Sequence, residues 1–435
     1  MGVAAFVVVG LIVLGVAVAF AFGLAVFTYF AMTGGNLGQV PAVAFRTLDS
    51  FTFLAIPFFL LAGAVMRNGG VSQRLVDFVA GFVGRVKGGM GATLVGACAL
   101  FGSISGSSLA TVSAIGKIMA DSMALRGYPR SYVGGLAAVS GILGILIPPS
   151  VPMIVYGIAA NVSISNMFLA GISSGLLLTA VLMLNNFIWA RKRKDLKDGD
   201  LVTASVSPKI HDSRMQRLRV GRIGRLGAAA PALLMPIVIL GGIYSGIFTP
   251  TEAGAVACLY GLLVGLFVYR EIKFKEVGNT LLEGLLATAP ILIIIAMGGA
   301  FARALVLSGI PRDIANWITG MGLSVFAVLL VLNIILLLVG MFIEENTAII
   351  ILVPLLLPLI QAYGIDPIQF GVIMVLNLGM GLATPPFAPN LFVAASACGA
   401  LFHTIMGPAL KLLATAVLPV LIVVNVFPAF TTWFL

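Results

Sequence analysis

Gly144-Ile-Leu-Ile-Pro-Pro-Ser-Val-Pro152 sets three prolines within five residues of an otherwise apolar run, and the same G-x-x-x-P-P-x-x-P pattern returns 237 residues later (381 − 144) as Gly381-Leu-Ala-Thr-Pro-Pro-Phe-Ala-Pro389. Each proline removes a backbone donor and clashes with a carbonyl of the preceding turn, so both runs read as helices broken in the middle. At nearly the same offset, Gly69-Gly-Val-Ser-Gln-Arg-Leu-Val-Asp-Phe78 faces Ser308-Gly-Ile-Pro-Arg-Asp-Ile-Ala-Asn-Trp317, and Ser103-Ile-Ser-Gly-Ser-Ser108 faces Glu344-Glu-Asn-Thr347. The chain therefore reads as two copies of one unit.

The medium follows from composition. The 435 residues are 60% hydrophobic and 9% charged, with mean hydropathy +1.15, against roughly 45–50% and about 25% in soluble domains. At roughly 20 apolar residues per crossing, about ten helical spans fit. Unbroken runs such as 289–302 exclude the alternating pattern of a closed barrel. The expected fold is an all-α polytopic membrane protein with an N-terminal helix and connection (1–50), a first repeat (51–190), a basic loop (191–225), two further helices (226–283) and a second repeat (284–435). Expected spans cover 3–31, 51–66, 132–160, 166–190, 226–248, 251–269, 284–305, 368–402 and 404–432, those at 132–160 and 368–402 being the broken helices. Stretches 89–124 and 323–362 each hold two apolar runs interrupted by a polar tip, and read as re-entrant hairpins. A kinked span or a pair of spans is the plainer alternative.

Net charge is +10, yet 191–225 alone holds 11 of the 25 basic and 4 of the 15 acidic residues. A basic run beside apolar spans marks a cytoplasmic loop rather than a nucleic-acid face. Two crossings return the chain to that side at Arg270, Lys273 and Lys275, so 284–305 exits and hairpin 323–362 opens from outside. Hairpin 89–124, flanked by Arg85, Lys87, Arg126 and Arg130, opens from the cytoplasm. The repeats are then inverted, the arrangement of secondary transporters with a site near the midplane. Cys98, Cys258 and Cys398 sit in apolar segments without CxxC spacing, which indicates neither disulfide nor zinc. The N-terminus lacks a basic signal-peptide region and a myristoylation motif, so the first helix is expected to stay in the mature protein.

Oxygen-bearing residues concentrate at the breaks and tips. The breaks at Pro148, Pro149 and Pro152 and at Pro385, Pro386 and Pro389 free carbonyls, tolerated at membrane depth only when buried or lining a wet cavity. The first tip offers Gly102, Ser103, Ser105, Gly106, Ser107, Ser108 and Thr111, suited to a hard cation, while helix starts offer N–H groups to an anion; small residues also serve plain helix packing. At the second tip, Glu344 and Glu345 cost roughly 2.5–3.5 kcal/mol each if deep in the bilayer, by analogy with Asp, which calls for a cation or polar partner, or for a tip that reaches bulk water. Asn346 and Thr347 add oxygens. Elsewhere the polar residues have structural readings: Thr249-Pro-Thr-Glu252 is a capping box, Lys117 and Asp121 pair at i,i+4, Arg303 snorkels, His211 and His403 are passive, and Gly171-Ile-Ser-Ser-Gly175 is a chance G-x-S-x-G match.

With these residues in view, the chain resembles the large membrane subunit of tripartite ATP-independent periplasmic (TRAP) transporters. The similarity rests on Phe101-Gly-Ser-Ile-Ser-Gly-Ser-Ser-Leu-Ala-Thr111, Ile147-Pro-Pro-Ser-Val-Pro152, Gly241-Gly-Ile-Tyr-Ser-Gly-Ile-Phe-Thr-Pro-Thr-Glu252, Pro354-Leu-Leu-Leu-Pro358 and Ala383-Thr-Pro-Pro-Phe-Ala-Pro389. The resemblance implies a multi-pass carrier of the bacterial inner membrane, not an enzyme, that takes up organic acids such as sialic acid or C4-dicarboxylates by Na⁺-coupled elevator movement. It implies a separate small membrane subunit, a periplasmic substrate-binding protein and at least two Na⁺ ions. One Na⁺ site would use Gly102, Ser103, Ser105, Ser107, Pro148 and Pro149, the other Gly340, Glu344, Glu345, Thr347, Gly381 and Thr384. Substrate would meet Ser103, Ser108, Asn346, Thr384, Pro385 and Asn390. The family often carries Asp in the second tip where this chain reads Ile343-Glu-Glu-Asn-Thr347, so the ion carboxylate is Glu344 or Glu345. Residues 50–66 and 226–270 would form the static scaffold. Two alternatives stay open: a self-sufficient Na⁺/dicarboxylate or citrate carrier, and an intramembrane hydrolase using Ser103 or Ser173, which lacks a partner histidine.

Overall fold

A computed structural model of the chain describes residues 7, 8, 10, 11, 14–196 and 222–434. All regular structure among them is helical. Seven helices are long and apolar enough to cross a membrane, eight if one bent pair is counted as a span.

The sequence correspondence continues element by element. Amphipathic helices Val71–Val83 and Ile310–Gly320 each start after a glycine in the left-handed region, Gly70 (φ 72°) and Gly309 (φ 77°). Next come paired helices, Gly89–Ser105 with Ser108–Ala124, and Val325–Phe342 with Glu345–Ala362. Their arms of 17 or 18 residues run about 26 Å against roughly 30 Å of hydrocarbon. The broken helices follow. Arg130–Leu146 bends by 45° into Val151–Ala159, and Pro367–Leu382 is separated from Pro389–Cys398 by an irregular stretch. The Pro148–Pro149 and Pro385–Pro386 bonds, 237 residues apart (385 − 148), are both cis. Ile164–Arg191 and Phe402–Val426 close the copies, the latter with a π-helical turn at Leu413–Val417.

Caps written into the sequence set these boundaries. Ser163 and Ser324 each accept the N–H three residues on, both at 3.3 Å. Asp366 accepts from the Ile368 and Gln369 N–H groups at 2.7 and 3.1 Å, satisfying donors that a helix start leaves open. The Thr249–Glu252 capping box forms, with Thr249 N–H donating to Glu252 Oε2 at 2.8 Å and Glu252 N–H to Thr249 Oγ1 at 3.3 Å.

The copies interlock. Val151–Ala159 packs on Glu345–Ala362, and its counterpart Pro389–Cys398 packs on Ser108–Ala124. Tyr156 donates to the Pro367 carbonyl at 2.5 Å, and the ring fills the space beside Gly371, where a Cβ would lie 2.5 Å from it. Ala55–Asn68 is held between Pro250–Leu263 and Val277–Leu307. There Thr251 donates to the Phe51 carbonyl at 3.0 Å. Val18–Thr33 and Gln39–Leu48 pack on Val277–Leu307, with Phe22 stacked on Phe301.

Several boundaries differ from the sequence expectation. The first described long helix begins at Val18, after Gly15 at φ 80°, and a separate amphipathic helix, Gln39–Leu48, follows the Gly34–Gly38 turn. The broken helix expected to reach 402 stops at Cys398, and that expected over 404–432 runs from Phe402 to Val426. Asp121 does not pair with Lys117; it accepts from Arg130 Nη2 at 2.6 Å. Arg130 opens the next helix and is pinned by its other nitrogen to the Cys398 carbonyl at 2.7 Å, which places it beside the carboxylate. Most of the basic loop 191–225, including His211, lies outside the described residues.

Candidate ion and solute site

Tip meets break in each copy through a pair of glycines. A Cβ on Gly102 would lie 2.8 Å from Gly144 Cα, and one on Gly144 would lie 2.6 Å from the Ser107 carbonyl oxygen. In the second copy a Cβ on Gly381 would lie 2.6 Å from Gly340 Cα, and one on Gly340 2.9 Å from Leu378 Cα. Backbone therefore touches backbone. Gly106, at φ 61°, takes the left-handed turn that a side chain resists. Its carbonyl accepts from Val151 N–H at 3.3 Å, and its α-carbon leaves no room for a Cβ beside the Pro149 carbonyl oxygen, 2.9 Å from that position.

The first tip is a closed set of oxygens. Thr111 Oγ1 donates to the Ser107 carbonyl at 2.8 Å and lies 3.1 Å from Ser105 Oγ. Ser107 Oγ caps the second arm by accepting from Ala110 N–H at 3.4 Å. Ser103 turns back to the Leu100 carbonyl at 2.8 Å. Past the break, Ser150 donates to the Ile145 carbonyl at 2.5 Å and caps the half-helix at Met153. Ser108 and Asn390, expected as substrate contacts, are fully buried and bond to each other: Asn390 Nδ2 lies 2.8 Å from Ser108 Oγ and donates to the Ala138 carbonyl at 3.0 Å. This bond ties the start of the second copy's half-helix to the first tip.

The second tip is built on carboxylates. Glu344 caps Glu345–Ala362, accepting from Thr347 N–H at 3.0 Å, from Thr347 Oγ1 at 3.2 Å and from Asn346 Nδ2. Glu345, Asn346 and Thr347 are 5%, 4% and 1% exposed. Glu345 Oε2 and Asn346 Oδ1 are buried with no hydrogen-bond partner. Donation of Asn346 Nδ2 to Glu344 turns Oδ1 away, so both orphan atoms are acceptors. Thr384 Oγ1 donates to the Met380 carbonyl at 2.7 Å, Pro385 is partly buried, and Pro386 and Phe387 are exposed.

Buried acceptors without donors are costly unless a cation or proton supplies the missing charge. Among the described residues no three His, Cys, Asp or Glu side chains gather into a metal cluster. Carbonyls, hydroxyls and a carboxylate form a hard-oxygen set, unsuited to a soft transition metal. A cavity of about 230 Å³ lined by Asn68, Glu271, Glu276 and Glu283 lies apart from the tips, and its acids pair with Arg74, Lys273 and Arg67.

Sequence reasoning missed the asparagines that tie the closing helices to the paired and broken helices. Asn186 donates to the Gly88 carbonyl at 2.7 Å and accepts from Tyr132 at 3.2 Å. Asn425, near the corresponding place in the closing helix, meets Asn333 at 2.8 Å, and Asn377 donates to Asn333 at 2.7 Å. Asparagine within an apolar span was the available signal.

The sequence profile described as "Tripartite ATP-independent periplasmic transporter, DctM component" matches residues 5–430. A C4-dicarboxylate TRAP transporter large permease protein of Pseudomonas aeruginosa is 43% identical over 88% of this chain and 86% of its own length. A sialic acid TRAP transporter large permease protein of Vibrio cholerae is 36% identical over the same shares, 88% and 86%. Among solved structures, the YdaH transporter of Alcanivorax borkumensis is 18% identical with a TM-score of 0.61, covering 89% of this chain and 88% of that one, a likeness of fold.

Proposed function

The chain belongs to the DctM component family of tripartite ATP-independent periplasmic transporters, and from that premise we propose that it is a Na⁺-coupled uptake permease for an organic acid in the bacterial inner membrane. The observation that carries the coupling is the buried, donor-less pair of oxygens at Glu345 and Asn346. Glu344 is held by its three donors, while Glu345 offers its unpartnered buried oxygen to a cation. The second ion would sit among Ser103, Ser105, Ser107 and the carbonyls freed at Pro148 and Pro149. The two helix starts at Ser107 and Glu344, together with Asn346, Thr384 and Pro385, leave N–H and polar groups for the carboxylate of the solute.

In this reading the paired helices are re-entrant hairpins of inverted repeats, and they move with the broken helices past a scaffold of Ala55–Asn68, Pro250–Leu263 and Val277–Leu307. A small membrane subunit completes the scaffold, and a periplasmic binding protein delivers the solute. C4-dicarboxylates and acidic sugars are the solute classes, as in the names of the Pseudomonas and Vibrio relatives.

The test is uptake of radiolabelled succinate and of sialic acid into proteoliposomes holding this chain and its small partner, with binding protein outside, with and without an inward Na⁺ gradient. Uptake that needs both gradient and binding protein is expected. Uptake indifferent to the gradient overturns the coupling. Uptake without any binding protein moves the chain to the self-sufficient carriers.

A further inference from the structure

Asp121 bonds Arg130 and not Lys117 one turn before it. Lys117 is the one basic residue in the sequence between 89 and 124. With Asp121 taken by Arg130, no carboxylate among the described residues lies within ion-pairing distance of its ammonium. Ser113, Lys117 and Asp121, spaced by four, form an exposed stripe on Ser108–Ala124, whereas Val112, Ile115, Gly116, Met119 and Ala120 on the other side are buried. The neighbouring half-helix Pro389–Cys398 packs at Gly116, where a Cβ would lie 3.4 Å from Ala397 Cβ and from Cys398 Sγ, and it exposes Phe392 and Ser396 alongside. A lysine on a membrane helix faces a water-filled path or the protein interior rather than lipid, and this stripe is not in the interior. It descends from the first tip, with Lys117 ten residues from Ser107, about 15 Å along the helix.

We propose that Lys117 is a positioning residue of the inner solute path, a fixed positive charge that draws the anionic group of the solute off the first tip toward the cytoplasm. The distance is too long for one small acid to touch tip and ammonium together, so Lys117 acts on release and not on the tightly bound pose. The Asp121–Arg130 pair below it contributes no net charge. The inference rests on the anion-uptake reading of the preceding subsection.

The experiment compares wild type, K117R, K117M and K117E in the reconstituted complex, with succinate or sialic acid as the probe, whichever wild type transports. K117M should lower maximal uptake about fivefold, the scale of one steering charge, with half-saturation by loaded binding protein unchanged. K117R should restore uptake to within about twofold, and K117E should transport less than K117M. Thermal melting of all four should coincide, the side chain being exposed. Should K117M destabilise the complex, the ordering of K117R over K117E at equal amounts of assembled complex still decides. Equal uptake by wild type, K117M and K117E overturns the proposal, as does K117R failing as badly as K117M. Absence of any anion uptake by wild type instead removes the functional reading beneath it.

Discussion

The two hairpin tips occupy matching places in the repeat and reach their broken helices through matching glycine contacts, but they handle polarity in opposite ways. At the first tip Ser105, Ser107 and Thr111 bond to one another and to carbonyls. At the second, Glu344 collects three donors while its neighbours Glu345 and Asn346 keep buried oxygens with none. The two copies thus share backbone geometry and differ in chemistry. On the proposed Na⁺ coupling, the neutral hydroxyl tip would hold an ion loosely through shared oxygens, and the tip with a buried carboxylate would hold one more firmly. The second should dominate the response to Na⁺.

The shared part of this comparison should break hardest. Valine at Gly381 or Gly144 forces a side chain into backbone with no flexible neighbour to yield, and overpacking of this kind costs about 1–3 kcal/mol or more. Neither variant should yield an assembled complex by size-exclusion chromatography; normal assembly of either would mean that tip and break do not need to touch.

The divergent part sharpens at Glu345. E345Q should raise the Na⁺ concentration for half-maximal uptake by at least about tenfold, or 1.4 kcal/mol, while leaving melting without Na⁺ unchanged or raised, because an unpartnered buried carboxylate has been removed. E344Q should instead lower melting, since it weakens a helix cap worth about 0.5–2 kcal/mol. Reversed outcomes for the two would exchange their roles.

Smaller still is the bond that ties the copies together. S108A leaves Asn390 buried with one contact fewer, a loss of about 1 kcal/mol visible as a drop in melting temperature. If Ser108 touched solute directly, half-saturation would move and melting would not. At the first tip, S105A should shift Na⁺ half-saturation by only about two- to threefold, because Thr111 and the carbonyls remain, a hydroxyl contact being worth about 0.5–1 kcal/mol.

What could be seen in the sequence tracks how local its cause is. The triple prolines, the polar tips and the Thr249–Glu252 capping box act within a few residues, so the breaks, the tips and that helix start were legible. Partners across the fold were not. Asp121 has Lys117 one helical turn away, but it bonds Arg130, which is steered there by the Cys398 carbonyl of the other copy. Ser108 and Asn390, 282 residues apart, both qualified as solute contacts by type, and only three-dimensional packing shows them bonded to each other. The orphaned oxygens of Glu345 and Asn346 depend likewise on which way Asn346 turns, a choice made by Glu344 and invisible in the order of residues.

Equilibrium binding of radioactive Na⁺ to the purified complex, wild type against E345Q, tests the central claim most directly. Saturable binding of two or more ions by wild type, with one ion fewer in E345Q and the remainder unchanged in affinity, is the predicted result. Identical Na⁺ binding by the two proteins would contradict it.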